Sequence, residues 1–269
     1  AIRHRRGRRA RSLNSDRVPA MTPPAQGNAV IRVESLFKAF GSLKVLNDVN
    51  LNVNVGETLV VLGRSGTGKS VLLKLLIGLQ QPDSGSIQML GQEITQLAEK
   101  PLNEVRKKVG FVFQNAALYD SLTVAENVEF PLKYHTASTE GQRREQAMEI
   151  LTRVGMQDSA LMMPTELSGG MKRRVGLARA LVLKPKIMLY DEPTAGLDPI
   201  TSEEINELIL KLQQEHAMSS IVVTHEMHSA QRISNHVAML DQGSIVFDGN
   251  FSDMKNSDNK FVSLFIKNG

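Results

Sequence analysis

Residues 63–70 read GRSGTGKS and lie between two apolar segments, TLVVL and VLLKLLIGL. They match the phosphate-binding loop G-x-x-x-x-G-K-[ST], which follows a buried strand and opens a helix. The glycines let successive backbone N–H groups point into one concavity, and the helix adds its positive N-terminal end. Lys69 would reach the β- and γ-phosphates, and the Ser70 hydroxyl would bind Mg²⁺. The loop therefore predicts a site for a nucleoside triphosphate with magnesium.

The loop and the start of its helix supply most of the predicted nucleotide contacts. These are Gly63, Arg64, Ser65, Gly66, Thr67, Gly68, Lys69, Ser70 and Val71. The alternative is a glycine-rich turn without a ligand. Other chemistries fail on spacing, because GRSGT lacks the last glycine of the nucleophile elbow G-x-S-x-G and HEMHS is one residue short of the zinc pattern H-E-x-x-H.

Two carboxylates, Asp191 and Glu192, follow the apolar run IMLY. The chain turns at the end of a strand, so both side chains can line one cleft beside the phosphate loop. Asp191 is suited to hold magnesium through water, and Glu192 to act as general base on an attacking water. Taken alone, a solvated acidic pair that closes a strand explains these residues equally well.

The segment LSGGM, residues 167–171, places a serine and two glycines at the head of a predicted helix. Ser168, Gly169 and Gly170 expose backbone N–H groups at the positive end of that helix, which makes a second anion site without a lysine. Taken alone, Ser-Gly-Gly is more often a turn. Residues 168–170 are called the signature segment below.

The order of these motifs along the chain indicates the class of protein more specifically than any one motif does. The phosphate loop is followed by Gln114 at a strand end, the signature segment, the acidic pair, Asp198, and His225 at a strand end. In this order the sequence resembles the nucleotide-binding domain of ATP-binding cassette (ABC) proteins over about residues 30–250. The resemblance implies an ATPase that uses ATP and Mg²⁺. Phe40 matches the aromatic on which adenine stacks, although an aromatic on a strand is more often core.

The resemblance also implies that two copies of the chain share each ATP site. Ser168, Gly169 and Gly170 of one copy would contact the γ-phosphate held by the other copy, and Asp198 would lie at the seam. Met171 stands where many relatives have glutamine. We expect this difference to matter little, because backbone groups make the contact.

Three residues are catalytic by the same resemblance: Glu192, His225 and Gln114. His225 would hydrogen-bond the γ-phosphate and hold the attacking water with Glu192. Gln114 would contact magnesium, together with Ser70 and Asp191, and report the state of the site to the helical region.

Longer stretches such as FVFQNAALYDSLTVAENVEFPL and LMMPTELSGGMKRR look like the ATPase subunits of the Mla and Mce lipid transport systems. This implies a peripheral protein on the cytoplasmic face of the inner membrane, with integral permease subunits and a lipid-binding Mce-domain subunit as partners. Leu118, Tyr119 and Leu122 suit a groove for a permease helix or an ordinary core. Transport of another solute, such as an amino acid, is the alternative.

The strand and helix signals predict an α/β fold with a P-loop NTPase core, an antiparallel edge subdomain and an inserted helical subdomain. Short apolar runs typical of buried parallel strands occur at residues 58–62, 109–113, 187–190 and 220–224. Residues 49–55 alternate as a half-exposed antiparallel strand, and residues 237–247 read as a hairpin.

Strand signals are lacking between Gln114 and Leu183, where capping boxes begin at Thr123 and Thr139. We therefore predict a nucleotide-binding domain at residues 29–250, with its helical insertion at about 115–183. A short helical tail is predicted at 251–269.

The basic charge is concentrated in the first twenty residues. They hold seven arginines and one aspartate, a net of +6 against +4 for the whole chain, which leaves −2 for residues 21–269. We therefore predict no nucleic-acid partner for the body. Residues 1–28 are predicted to be a disordered basic and proline-rich segment. It is a mis-called start upstream of Met21, an organellar targeting segment, or an arm for anionic lipid or nucleic acid.

The composition and the order of the motifs argue against three other classes of nucleotide-binding protein. The chain has no cysteine, which excludes disulfides and thiolate metal sites such as the zinc modules of DNA-repair relatives. Translation-factor relatives usually carry two cassettes, whereas this chain carries one. A nucleoside-phosphate kinase would have no use for the signature segment and His225.

Overall fold

The computed structural model describes residues 29–268, apart from the side chains of His216 and Asn268. The predicted disordered segment at 1–28 lies outside the described residues. The strands are β1 (Ala29–Phe40), β2 (Leu43–Asn54), β3 (Thr58–Leu62), β4 (Ser84–Met89), β5 (Gln92–Glu93), β6 (Val109–Val112), β7 (Ile187–Asp191), β8 (Ser219–Thr224), β9 (His236–Asp241) and β10 (Ser244–Gly249). The helices are α1 (Lys69–Leu76), α2 (Glu99–Arg106), α3 (Val124–His135), α4 (Glu140–Arg153), α5 (Gly169–Leu181), α6 (Pro199–His216), α7 (Met227–Ile233), α8 (Phe251–Lys255) and α9 (Lys260–Asn268).

A mixed sheet in the order β10-β9-β3-β8-β7-β6 forms the centre of the fold. Its strands are parallel except β10, which forms the predicted hairpin with β9. Alternate residues of β3 face different layers: Leu59 and Val61 pack in one core, Val60 and Leu62 in the other. Burial of both faces explains why these strands read as continuous apolar runs.

The second sheet, in the order β2-β1-β4-β5, is antiparallel and covers one face of the mixed sheet together with α1 and α2. In β2, Val49, Leu51 and Val53 are buried, while Asn50 and Asn54 are exposed. This alternation is typical of a sheet with one solvated face. The predicted fold class, a P-loop core with a mixed sheet and an antiparallel edge, is confirmed.

Helices α3, α4 and α5 follow β6, and they pack against the other face of the mixed sheet. Thr123 and Thr139 begin α3 and α4 with the predicted capping boxes. In the first box, the Glu126 carboxylate accepts a hydrogen bond from the backbone N–H of Thr123 at 2.7 Å. The two boxes fix where each helix starts, and therefore how the helical layer leaves the sheet. The domain boundaries themselves stay a prediction.

Helices α8 and α9 pack on the helical side of the core, where Met254 and Val262 are fully buried. No helix within residues 29–268 combines the length and the apolar character that a membrane span requires.

His236, at the start of β9, bridges two carboxylates from different parts of the fold. Its Nδ1 lies 2.9 Å from Glu57 Oε1, in the turn before β3, and its Nε2 contacts Asp248 in β10. The hydrogen bonds to Asp248 and Glu57 raise the pKa of His236 to about 9. The imidazolium therefore ties the edge hairpin to the start of the central strand.

We expect this contact to make stability depend on pH. A histidine pKa raised from 6.5 to about 9 contributes stability that is complete below 6.5 and is lost as the pH rises through 9. The contribution is on the order of 3 kcal/mol. Denaturant unfolding of the parent and of His236→Gln at pH 6.5 and pH 9.5 checks this. The parent should have the higher free energy of unfolding at pH 6.5, and this difference from the variant should nearly vanish at pH 9.5. A difference of equal size at both pH values would contradict the role given to the His236 imidazolium.

Candidate functional site

The site lies at the carboxyl ends of three adjacent parallel strands, β3, β8 and β7. The register places Leu62 beside Thr224 and Asp191 beside Val223. The phosphate loop, His225 and Glu192 therefore leave the sheet at the same level. Ligands bind at this edge in open α/β sheets because the loops there can converge.

The backbone of the phosphate loop is shaped for an anion. Gly66 and Gly68 have φ values of 82° and 105°, in the region that favours glycine. A Cβ on Gly68 would also lie 2.9 Å from the carbonyl oxygen of Val45, so no other residue fits there without a shift. Helix α1 begins directly after Gly68 and has no side-chain cap. Its first N–H groups are thus available to phosphate oxygens.

Lys69 holds the loop closed. The side chain is 5% exposed, and Nζ donates hydrogen bonds to the carbonyl oxygens of Gly63 at 2.8 Å and Arg64 at 3.0 Å. The same ammonium group lies 3.2 Å from Glu192 Oε1. Lys69 therefore joins the phosphate loop to the acidic pair at the end of β7.

Ser70 and Asp191 form the adjacent contact, in which the Ser70 hydroxyl donates to Asp191 Oδ1 at 2.7 Å. Burial raises the pKa of Asp191, the bond from Ser70 opposes this, and the Glu192 carboxylate adds to the rise. A buried carboxylate with a hydroxyl beside it is an oxygen-donor set that favours a hard cation such as Mg²⁺. These residues fit the predicted magnesium site, and Gln114 lies on the wall of the neighbouring cavity.

Glu192 lies between Lys69 and His225. Its Oε2 is 2.8 Å from His225 Nδ1 and accepts the backbone N–H of His225 at 3.3 Å. The residue is 7% exposed, and its φ of 49° is uncommon for a residue with a side chain. The bond from its own N–H to Val223 O at 2.9 Å holds this conformation. Strain of this kind is often found where a side chain must point in one direction.

A cavity of about 360 Å³ opens beside Lys69, Ser70 and Glu192. It is lined by Phe40, Val45, Ser65, Gly66, Gly68, Lys69, Ser70, Val71, Gln114 and Glu192. Phe40 is 47% exposed, so it is not a core aromatic, and the ammonium group of Lys38 lies 5.3 Å from the centre of its ring. Val45, which sequence reasoning missed, comes from the adjacent strand.

Three predicted loop residues, Gly63, Arg64 and Thr67, are not among the residues that line this cavity. Thr67 donates its hydroxyl proton to the carbonyl oxygen of Arg64 at 2.9 Å, which stabilises the turn. The Arg64 guanidinium lies over the ring of Phe261 in α9, 5.3 Å from its centre. The start of the loop thus contacts the C-terminal helix of its own chain.

The signature segment lies at the start of α5, outside the cavity of its own chain. Ser168 caps the helix by accepting the N–H of Met171 at 3.2 Å. Gly170 is packed so tightly against Thr201 that a Cβ would lie 2.5 Å from its Cγ2 atom. Asp198 accepts the N–H groups of Ile200 and Thr201. The signature segment and the Asp198 loop therefore form one surface.

Arg173, which sequence reasoning also missed, ties two of the site loops together. It donates hydrogen bonds to the carbonyl oxygens of Phe113 and Ala195, both at 3.1 Å. Phe113 precedes Gln114, and Ala195 follows the acidic pair. The KRR run after the signature segment was its only sequence signal, because a buried arginine looks like a surface one in a sequence.

A phosphate loop, an acidic pair two strands away in the same sheet and a glycine-rich helix start outside the cavity of that loop define an ATP-binding cassette. The family model described as ABC transporter matches residues 46–195. The chain therefore belongs to the ABC transporter family.

Curated relatives and solved structures agree with this. The chain is 41% identical over 236 residues to the probable ribonucleotide transport ATP-binding protein mkl of Mycobacterium leprae, covering 88% of this chain and 68% of the relative. It is 40% identical over 227 residues to the methionine import ATP-binding protein MetN of Brucella abortus, covering 84% and 61%. The chain thus spans about two thirds of the length of these relatives.

Solved structures match over most of the chain. A dimeric post-hydrolysis state of the ATP-binding cassette MJ0796 bound to ADP and Pi has a TM-score of 0.76 at 34% identity, covering 82% of this chain and 98% of that one. A second dimeric structure of MJ0796, described as a bacterial ABC transporter cassette, has a TM-score of 0.77 at the same identity and coverage.

We expect Lys69→Ala to weaken ATP binding by about 10²-fold or more, because charge-assisted hydrogen bonds to the phosphates are lost. The Glu192 carboxylate would also stay buried without its cation, so the melting temperature should fall. Titration of the variant with a fluorescent ATP analogue measures the affinity, and circular dichroism checks the fold. Lys107→Ala, which breaks a surface ion pair with Glu104, is the control. Parental affinity in Lys69→Ala would contradict the loop assignment.

Proposed function

We propose that this chain is the ATP-binding and ATP-hydrolysing subunit of a membrane transporter. The observation that carries the proposal is the Glu192 carboxylate, held between Lys69 and His225 at the cavity of the phosphate loop. A carboxylate in that position can orient a water for attack on the terminal phosphate and accept its proton.

The remaining groups of the chain have separate tasks in this hydrolysis. The N–H groups of the loop and Lys69 bind the triphosphate, and Phe40 stacks on the adenine. His225 holds the terminal phosphate and the water in line with Glu192. Ser70, Asp191 and Gln114 would hold Mg²⁺, which would neutralise part of the phosphate charge.

A complete site requires a second copy of the chain in this proposal. The signature segment does not line the phosphate-loop cavity of its own chain, so it does not cover a nucleotide bound there. Ser168, Gly169 and Gly170 of the second copy would close over the γ-phosphate, with Asp198 at the seam. The dimeric MJ0796 structures support this assembly.

The integral permease is the proposed membrane partner, and it would hold this protein peripherally at the bilayer. A groove of about 470 Å³ lies between the helical layer and the edge formed by α2 and β6, with Tyr119, Phe130 and Pro131 in its wall. The rings of Tyr119 and Phe130 lie 4.6 Å apart. Arg179, also in the wall, donates to the carbonyl oxygens of Ala116 and Ala117, two and three residues after Gln114. A helix seated there would therefore sense the Gln114 loop.

Lipid is the proposed cargo, with a lipid-binding Mce-domain subunit as a further partner. The support is the likeness of the stretches after Gln114 and around the signature segment to lipid-system ATPases. The second candidate is a small solute such as an amino acid, which the name of the methionine importer favours. The two named relatives are almost equally similar, at 41% and 40% identity, so their names do not decide the cargo.

Glu192→Gln tests the proposed base directly. The amide keeps the shape but cannot accept the proton, so hydrolysis should fall by about 10²-fold or more while ATP binding survives. Loss of a negative charge beside the γ-phosphate should also favour closure, and an ATP-bound dimer should accumulate. Phosphate release and light scattering with ATP and magnesium measure the two effects. Parental turnover would rule out Glu192 as the base.

Ser168→Arg provides the matched test of the shared site. Added to Glu192→Gln, the bulky side chain should abolish the dimer while each monomer still binds ATP, because Ser168 lies outside the cavity of its own chain. A dimer that persists in the double variant would exclude the signature segment from the interface.

Co-purification tests the cargo. The natively expressed complex should contain an integral membrane protein, and phospholipid should be enriched in it over the surrounding membrane, as measured by mass spectrometry. Reconstituted into vesicles that contain fluorescent phospholipid, the parent complex should move the phospholipid when ATP is added. The complex that carries Glu192→Gln should not move it under the same conditions. ATP-driven uptake of an amino acid without lipid movement would favour the second candidate.

A further inference from the structure

A cluster of hydroxyl and carboxylate groups lies directly behind the Glu192–His225 pair. Thr194, two residues after Glu192, donates its hydroxyl proton to Glu226 Oε2 at 2.7 Å. Ser229 donates to the same oxygen at 3.0 Å, and Asn206 Nδ2 donates to Ser229 Oγ at 3.0 Å. Thr194, Asn206 and Ser229 are at most 1% exposed.

The cluster joins the two loops that carry the reacting pair. Thr194 belongs to the loop after β7, which presents Glu192. Glu226 follows His225 in the loop after β8, and α7 begins at the next residue. Since β7 and β8 are neighbours in the sheet, the bond from Thr194 to Glu226 closes a short ring of contacts around the Glu192–His225 hydrogen bond.

Burying this polar cluster costs desolvation free energy, which an apolar contact between the same loops would avoid. Buried hydroxyl and amide groups must keep their partners, and Oδ1 of Asn206 has none among the described residues. An apolar contact between the loops would stabilise the fold equally well, but it would not fix the direction of His225. The hydrogen bonds to the Glu226 carboxylate are directional and charge-assisted, so they hold in place the loop that carries His225.

We infer that Glu226, held by Thr194 and Ser229, is a positioning residue that sets His225 against Glu192 for hydrolysis. Thr194 is the residue that connects it to the acidic pair. This inference rests on the proposed function, in which Glu192 and His225 act on the same water. Loss of the connection lets the His225 loop move, and displacements of about 1 Å in a site can cost up to about 10²-fold in rate.

Thr194→Val removes the hydroxyl and keeps the shape of the side chain. In the full chain, kcat for ATP hydrolysis should fall about tenfold, while affinity for ATP stays within about twofold, because Thr194 does not line the cavity. Thr194→Ser restores the donor and should recover most of the rate. Ser220→Ala is the control, since this buried hydroxyl of β8 has no hydrogen-bond partner among the described residues.

A double-variant cycle separates positioning from general destabilisation. If Thr194 acts through His225, adding Thr194→Val to His225→Ala should change the residual kcat by less than about twofold. Parental kcat in Thr194→Val, or an undiminished tenfold loss in the His225→Ala background, would overturn the inference. Failure of the proposed function gives a different result, because the parent would then hydrolyse no ATP or would be indifferent to Glu192→Gln.

Discussion

The ion pair between Lys69 and Glu192 is the contact on which the site depends. It joins the loop after β3 to the loop after β7, and these two strands are separated by β8, which carries His225 at its end. A buried ammonium without an acid, or the reverse, would be strongly destabilising, so neither loop can move away without the other. The parallel register of the three strands makes this contact possible, because their ends are level.

The side chains of the protein alone leave an excess of negative charge at the site. Lys69 faces two buried carboxylates, Asp191 and Glu192, and burial raises the pKa of Asp191. A divalent cation beside Asp191 would offset the excess negative charge and would itself be offset by phosphate. Nucleotide and metal are therefore expected to stabilise each other, since each removes a charge penalty that the other creates.

Patterns over a few consecutive residues predicted those features of the fold that depend on neighbouring residues in the sequence. The phosphate loop, the buried strands and the two capping boxes depend on residues that are close in sequence, and the structure has them where the patterns indicated. The contacts of Arg173 and His236 were not predictable, because each joins groups that are far apart along the chain. The positive φ of Glu192 has no local signal, because the residue is held by the hydrogen bond that its N–H donates to Val223 on the neighbouring strand β8. The exposure of Phe40 likewise depends on where its strand ends.

The arrangement of the surfaces constrains how the protein can act. Glu192 is only 7% exposed, whereas Ser168 and Gly169 face solvent and Ile200, two residues after Asp198, is 75% exposed. Exposed helix N–H groups and an exposed apolar side chain on one surface are most stable when an anion and another protein surface cover them. In the proposed dimer, the phosphate bound by one copy would supply the anion for the other. Binding of ATP would then supply part of the interface itself, and hydrolysis would remove it.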